Sequence, residues 1–190
     1  MAMNKILMQI NTNEQLAVRI ENIISNIDLK DNNEVLMLFS GFIKNTLSHY
    51  YAINVLIEKQ LYNSVFALVR VFFDSIVRGS YVVYIDKKVF EKSNFPRTED
   101  MCKKLDDYFE ANIFEKIRKN TYGMMCDYTH TGYNQIARCF NEEKCLIEPT
   151  FEDFLILDML KGNYRLFELF AKNYIAFLKE NELLQKEVVI

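Results

Sequence analysis

From residue 34 to residue 60, apolar side chains recur at intervals of three and four: Val35, Leu36, Leu38, Phe39, Phe42, Ile43, Leu47, Tyr50, Ile53, Val55, Leu56 and Ile57. That spacing describes one broad face of a long amphipathic helix. Tyr62-Asn63-Ser64 reads as a tight turn into a second apolar stretch, 61–86. There Val65, Phe66, Leu68, Val69, Val71, Phe72, Phe73, Ile76 and Val77 leave no polar face, which predicts a helix buried on nearly every side. Two long helices joined by a short connection predict an antiparallel hairpin, the basic unit of a bundle. A third long helix, 151–180, carries Phe154, Leu155, Leu157, Leu160, Tyr164, Phe167, Leu169, Phe170, Tyr174 and Phe177. The helix at 61–86 is expected at the centre, with the other two packed on it.

The shorter elements follow from their punctuation. Residues 1–27 read as two helical pieces broken around Asn11-Thr12-Asn13, with Thr12 or Asn13 capping the second. A polar turn spans 28–33. Phe95 precedes Pro96, which disfavours helix, and Thr98-Glu99-Asp100 starts a helix that runs to about residue 110. A further helix is expected over 112–128, a break at Thr129-His130-Thr131-Gly132, and a short helix over 133–143. Glu148-Pro149-Thr150 marks the last boundary, and the end of the chain, 181–190, is expected to fray. The whole is read as one all-α domain over 1–190, an antiparallel helical bundle.

Composition narrows this in three ways. Five Gly and two Pro in 190 residues are too few for a sheet protein with many turns. A formal charge of −3 gives no global basic footprint of the kind most duplex-DNA binders show. The four cysteines (Cys102, Cys126, Cys139, Cys145) contain no C-x-x-C pair and read as reduced thiols of a cytoplasmic protein. No apolar run reaches the roughly 18 residues a membrane span needs, so no membrane partner is expected. Wide apolar faces and 14% aromatic residues predict a two-fold symmetric homodimer.

Candidate chemistry is confined to two segments. Arg70, Asp74 and Arg78 stand four residues apart on the 61–86 helix, so they stack on one face with the carboxylate between two guanidinium groups. That face is either a structural ion triad or the floor of a polar site, because charges in an apolar setting must be paired. The second segment, 126–138, crowds Tyr128, His130, Thr131, Gln135 and Arg138 around a helix break. His130 there suits acid, base or hydrogen-bonding work near neutral pH, or the capping of a helix end. His130, Arg70 and Arg78 are the candidate catalytic groups, and Asp74, Tyr128, Thr131, Gln135 and Arg138 the candidate binding groups. Buried polar groups gather because each unpaired one costs about 1–3 kcal/mol, so His130 and the Arg70/Arg78 face are expected to share one pocket. Zinc on Cys126, His130, Cys139 and Cys145 would have irregular ligand spacing, and no phosphate loop or other cofactor motif occurs, so neither metal nor cofactor is expected.

The two segments together, ALVR-x-x-x-D-x-x-x-R followed by DYTHTG-x-x-Q-x-x-R, resemble an uncharacterised group of bacterial all-helical proteins similar to HEPN-type domains and abortive-infection proteins. The resemblance spans about 34–177. It implies an elongated HEPN-like core of four or five helices and dimerisation through helices. For partners it implies RNA or a nucleotide, or an antitoxin or other defence-system protein. Active members cleave RNA without metal through an Arg followed four to six residues later by His. Here the nearest arginine before His130 is Arg118, which lies outside that spacing. The alternative reading is a non-catalytic helical module that binds a protein partner and uses the Arg-Asp-Arg triad as structure.

Overall fold

The computed structural model describes residues 2–27, 34–91, 94–130, 136, 140–141, 146–147 and 151–183. These residues are almost entirely helical. The first helix, α1 (Ala2–Ser25), is continuous through the expected break at Asn11-Thr12-Asn13. Its polar residues act within the helix or across to a neighbour instead of capping. Thr12 donates to the Met8 carbonyl at 3.0 Å, and Asn13 is fully buried. Asn13 accepts from Gln9 at 3.0 Å and donates to Asn54, on the next helix, at 3.3 Å.

Helix α2 (Glu34–Glu58) is followed by α3 (Tyr62–Tyr84), and the turn lies earlier than Tyr62-Asn63-Ser64 suggests. Gln60 adopts a left-handed φ of 56°, its N–H bonds the Ile57 carbonyl at 2.9 Å, and the Leu61 N–H bonds the Leu56 carbonyl at 2.9 Å. This is a Schellman closure with glutamine in the position glycine usually fills. Phe42 then meets Gly79, Thr46 bonds Ser75 at 2.9 Å, and Tyr50 stacks on Phe72 at 5.8 Å. Positions rising along α2 thus meet positions falling along α3, so α3 returns along its predecessor.

A short helix, α4 (Lys88–Glu91), and α5 (Thr98–Tyr108) come next. Helix α6 (Phe114–Ile117) passes without a break into a π-helical turn, Arg118–Tyr122, and that into α7 (Gly123–Thr129). The last helix, α8 (Asp153–Glu180), lies against α1, α2 and α3. The core is aromatic where α2, α3 and α8 meet. Phe39 lies 5.0 Å from Tyr174, 5.5 Å from both Phe170 and Phe177, and 6.0 Å from Tyr84. The Tyr174 hydroxyl is satisfied by Ser40 at 2.8 Å.

Three expectations need correction. Phe154 and Val55, counted among the apolar faces, are 63% and 50% exposed because each falls on the outer side of its helix. Helix α3 is not enclosed on every side: Val71 and Arg78 open to solvent. Phe140–Asn141, at the end of the helix expected over 133–143, pairs antiparallel with Leu146–Ile147. The rest of 133–143 except Ile136, the turn 28–33, the boundary at Glu148-Pro149-Thr150 and the residues beyond 183 lie outside the described residues. Among the described residues no helix is long and apolar enough to cross a membrane.

Candidate functional site

Helix α3 presents Arg70 and Asp74 one turn apart, with Arg70 Nε 3.6 Å from Asp74 Oδ2. Their side chains are 22% and 18% exposed, so the pair sits at the edge of the core and not inside it. Arg78, one turn further on, does not complete a triad. It is exposed, and its guanidinium lies over the Phe95 ring at 5.1 Å. Arg78 reaches Asp74 only through its field.

Asp74 is instead satisfied by neutral hydroxyls. Tyr122, the last residue of the π turn, donates at 3.2 Å to Oδ1, and Thr98, the first residue of α5, lies 3.4 Å from the same oxygen. The Tyr122 and Thr98 hydroxyls are themselves 3.2 Å apart. The Tyr122 ring also lies under the Arg70 guanidinium, 5.3 Å from centroid to Cζ. Burial raises the Asp74 pKa above the ordinary carboxyl value, against the opposing pull of the Tyr122 bond, Arg70, Arg78 and Thr98. The carboxylate is thus the costlier form in the fold.

The sign of that cost can be measured. A carboxyl whose pKa is raised by folding gives its most favourable contribution while protonated, and that contribution is lost as pH rises through the raised pKa. Asp74→Asn keeps an acceptor for Tyr122 and Thr98 and removes the buried charge. We predict that at pH 7 it melts at or above the wild-type temperature, and that the difference narrows as pH falls toward the ordinary carboxyl range. A melting temperature several degrees lower at pH 7 would show that the Arg70 ion pair outweighs burial.

His130 follows the last residue of α7, and its Nε2 lies 2.7 Å from Arg70 Nη1. A guanidinium only donates, so Nε2 accepts and the ring proton sits on Nδ1. The end of α7 is held against α3 by Thr129, whose hydroxyl donates to the Met125 carbonyl at 2.8 Å and reaches the Ala67 carbonyl at 3.3 Å. Segments sixty residues apart therefore meet at Arg70, but at an exposed edge and not in the buried network expected. Tyr128, expected to bind ligand, is a core anchor. It is 2% exposed and stacks on Phe66 at 5.1 Å. Thr131, Gln135 and Arg138 lie outside the described residues, as do Cys139 and Cys145.

Sequence reasoning missed Tyr122 and Thr98 as members of the site. Thr98 was legible as a helix start, but nothing local pointed it at Asp74. The cysteines described differ: Cys126 is half-buried, whereas burial in the core pushes the Cys102 thiol up to about 12. Among the described residues no group of three His, Cys, Asp or Glu side chains could hold a metal ion. The site thus offers a largely buried guanidinium beside an exposed imidazole, suited to an anionic or hydrogen-bonding ligand.

No curated protein and no solved structure matches the chain. Residues 43–189, which include α3, α7 and every candidate residue of the site, match a family of unknown function, DUF6988, and the chain belongs to that family.

Proposed function

We propose that this is a HEPN-like antiparallel helical bundle, part of a cytoplasmic bacterial defence or toxin–antitoxin system, that binds RNA or a nucleotide at Arg70 and His130. The observation that supports this reading is the 2.7 Å contact between them. It sets side by side in space an arginine and a histidine that the chain keeps sixty residues apart. A phosphate held at this edge would bind the guanidinium, and bidentate binding there would compete with the bond to Nε2. The imidazole would then be released to a neighbouring hydroxyl. Cleavage of RNA is the less supported part, since the Arg-(4 to 6)-His signature is absent.

The protein is proposed to act as a homodimer, alone or with an antitoxin or other defence-system protein. Exposed Met37 and Phe90 flank a groove of about 580 Å³ on α2 and α4, which supports an apolar contact. Fluorescence anisotropy with a labelled single-stranded RNA and with labelled ATP tests the site. Arg70→Ala and His130→Ala should each weaken binding at least tenfold while circular dichroism and melting temperature stay near wild type. Light scattering on the same samples should return twice 22.6 kDa. Absence of binding by the wild-type protein, or variants that bind unchanged, would reject the reading.

The alternative is a protein-interaction module in which the cluster is structural. The satisfaction of Asp74 by Tyr122 and Thr98 within the fold favours it. Under that reading His130→Ala lowers the melting temperature and no RNA or nucleotide binding exists to be lost.

A further inference from the structure

On the side of α3 that carries Phe66, Val69 and Phe73, the π turn, α7 and α8 stand off far enough to leave a cavity of about 320 Å³. An apolar cavity of about 150 Å³ accommodates one benzene, so this one has room for about two fused rings. It falls at the lower end of the range for small-molecule pockets. Its walls are apolar and adaptable. Met124 and Met125 come from α7 and Met159 from α8, and thioethers make favourable contacts with the edges and faces of aromatic rings.

One polar wall residue, Asn163, is poorly served. Asn163 is 6% exposed, and its amide Nδ2 donates to the Met159 sulfur at 3.1 Å. A thioether is a weak acceptor, so an oxygen or ring nitrogen brought into the cavity would take that donor in preference. Among the described residues no Lys, Arg or His lines the space, and the one acid among them, Asp158, is exposed to solvent. A negatively charged guest would find no counter-charge from these residues.

We propose that this cavity binds a small, uncharged, bicyclic aromatic molecule that presents a hydrogen-bond acceptor to Asn163. This stands whatever Arg70 and His130 bind.

Quinoline and naphthalene make a matched pair of probes, equal in shape, with and without the acceptor. On the full chain carrying ¹³C-methyl methionine, quinoline should move the Met124, Met125 and Met159 resonances saturably and raise the melting temperature. Naphthalene should move the same three but bind about fivefold more weakly, the worth of one hydrogen bond of about 1 kcal/mol. Gly162 supplies the blocking variant. It lines the cavity, and a Cβ there meets nothing within 4 Å, so the branch point of Gly162→Leu is free of clash at the cavity wall. That variant should keep or raise the unliganded melting temperature and lose the response to quinoline. Should it fail to fold, Met124→Trp closes the rim from α7 and should give the same loss. The proposal is overturned if the three resonances do not move, if all eight methionines shift alike, or if a blocked variant responds as wild type does.

Discussion

Gly79→Ala is expected to destabilise the protein, although alanine is the better helix former. A Cβ on Gly79 would lie 2.9 Å from the Phe42 Cβ, 3.0 Å from the Phe42 Cγ and 3.0 Å from the Phe170 Cζ. The Phe42 atoms are the stiff base of a side chain on α2, so they yield only if the two helices move apart. Overpacking of this kind costs about 1–3 kcal/mol. The opposing gain in helix propensity is about 1 kcal/mol. Any larger side chain must separate α2 from α3 along the seam where Thr46, Ser75, Tyr50 and Phe72 also meet, so Gly79→Leu should prevent folding. Gly41 gives the internal control: it is helical and exposed, and a Cβ there meets nothing within 4 Å. Gly41→Ala should therefore raise stability while Gly79→Ala lowers it. Urea denaturation of the pair decides the matter, and a Gly79→Ala midpoint at or above wild type would refute the close-approach account.

Asp106→Ala should cost about 3 kcal/mol or more, through three main-chain donors at once. The Asp106 carboxylate is buried at the end of α5 and accepts from the Ile113 N–H at 2.9 Å, the Phe114 N–H at 3.1 Å and the Glu115 N–H at 2.8 Å. These are the groups at the start of α6 that no earlier turn of helix can satisfy. Each buried donor left without a partner costs about 1–3 kcal/mol, and bonds to a charged acceptor lie at the upper end. Asp106→Asn retains one acceptor oxygen and should lose less than Asp106→Ala. The check is the urea midpoint at unchanged slope, which isolates stability from compactness. Equal losses for both variants would mean that packing, and not the main-chain donors, sets the cost.

The long helices were legible because their apolar periodicity is strong: α2 ends two residues before its expected limit and α8 starts two residues after. Their ends were harder to read. Gln60, Glu110 and Glu182 all take left-handed φ values in Schellman closures, so this glycine-poor chain ends three helices without the residue that usually announces it. Asn11-Thr12-Asn13 misled in the opposite direction. Three polar residues looked like a break, but Asn13 had a buried partner on α2 that no local window contains.

The site was half legible for the same reason. A spacing of four places Arg70 beside Asp74, because helix geometry alone decides that. It cannot tell that Arg78 will turn to Phe95, or that Tyr122 and Thr98 will arrive from other elements to occupy Asp74. The reason for expecting His130 near Arg70 was that buried polar groups gather, yet the two meet at an exposed edge, where Thr129 pins α7 to α3.

The π turn at Arg118–Tyr122 gives the later residues a different phase. Such a turn holds one residue more than the α turn it replaces, and one residue of helix is about 100° of rotation. In unbroken α phase, the same letters after Tyr122 would point Tyr128 and His130 about 100° away from where they now stand. Tyr128 would leave Phe66, and His130 would leave Arg70. The meeting of those side chains therefore depends on the length of the chain between Arg118 and Tyr122 as much as on their own chemistry. A residue count written into a helix determines which amino acids can act together.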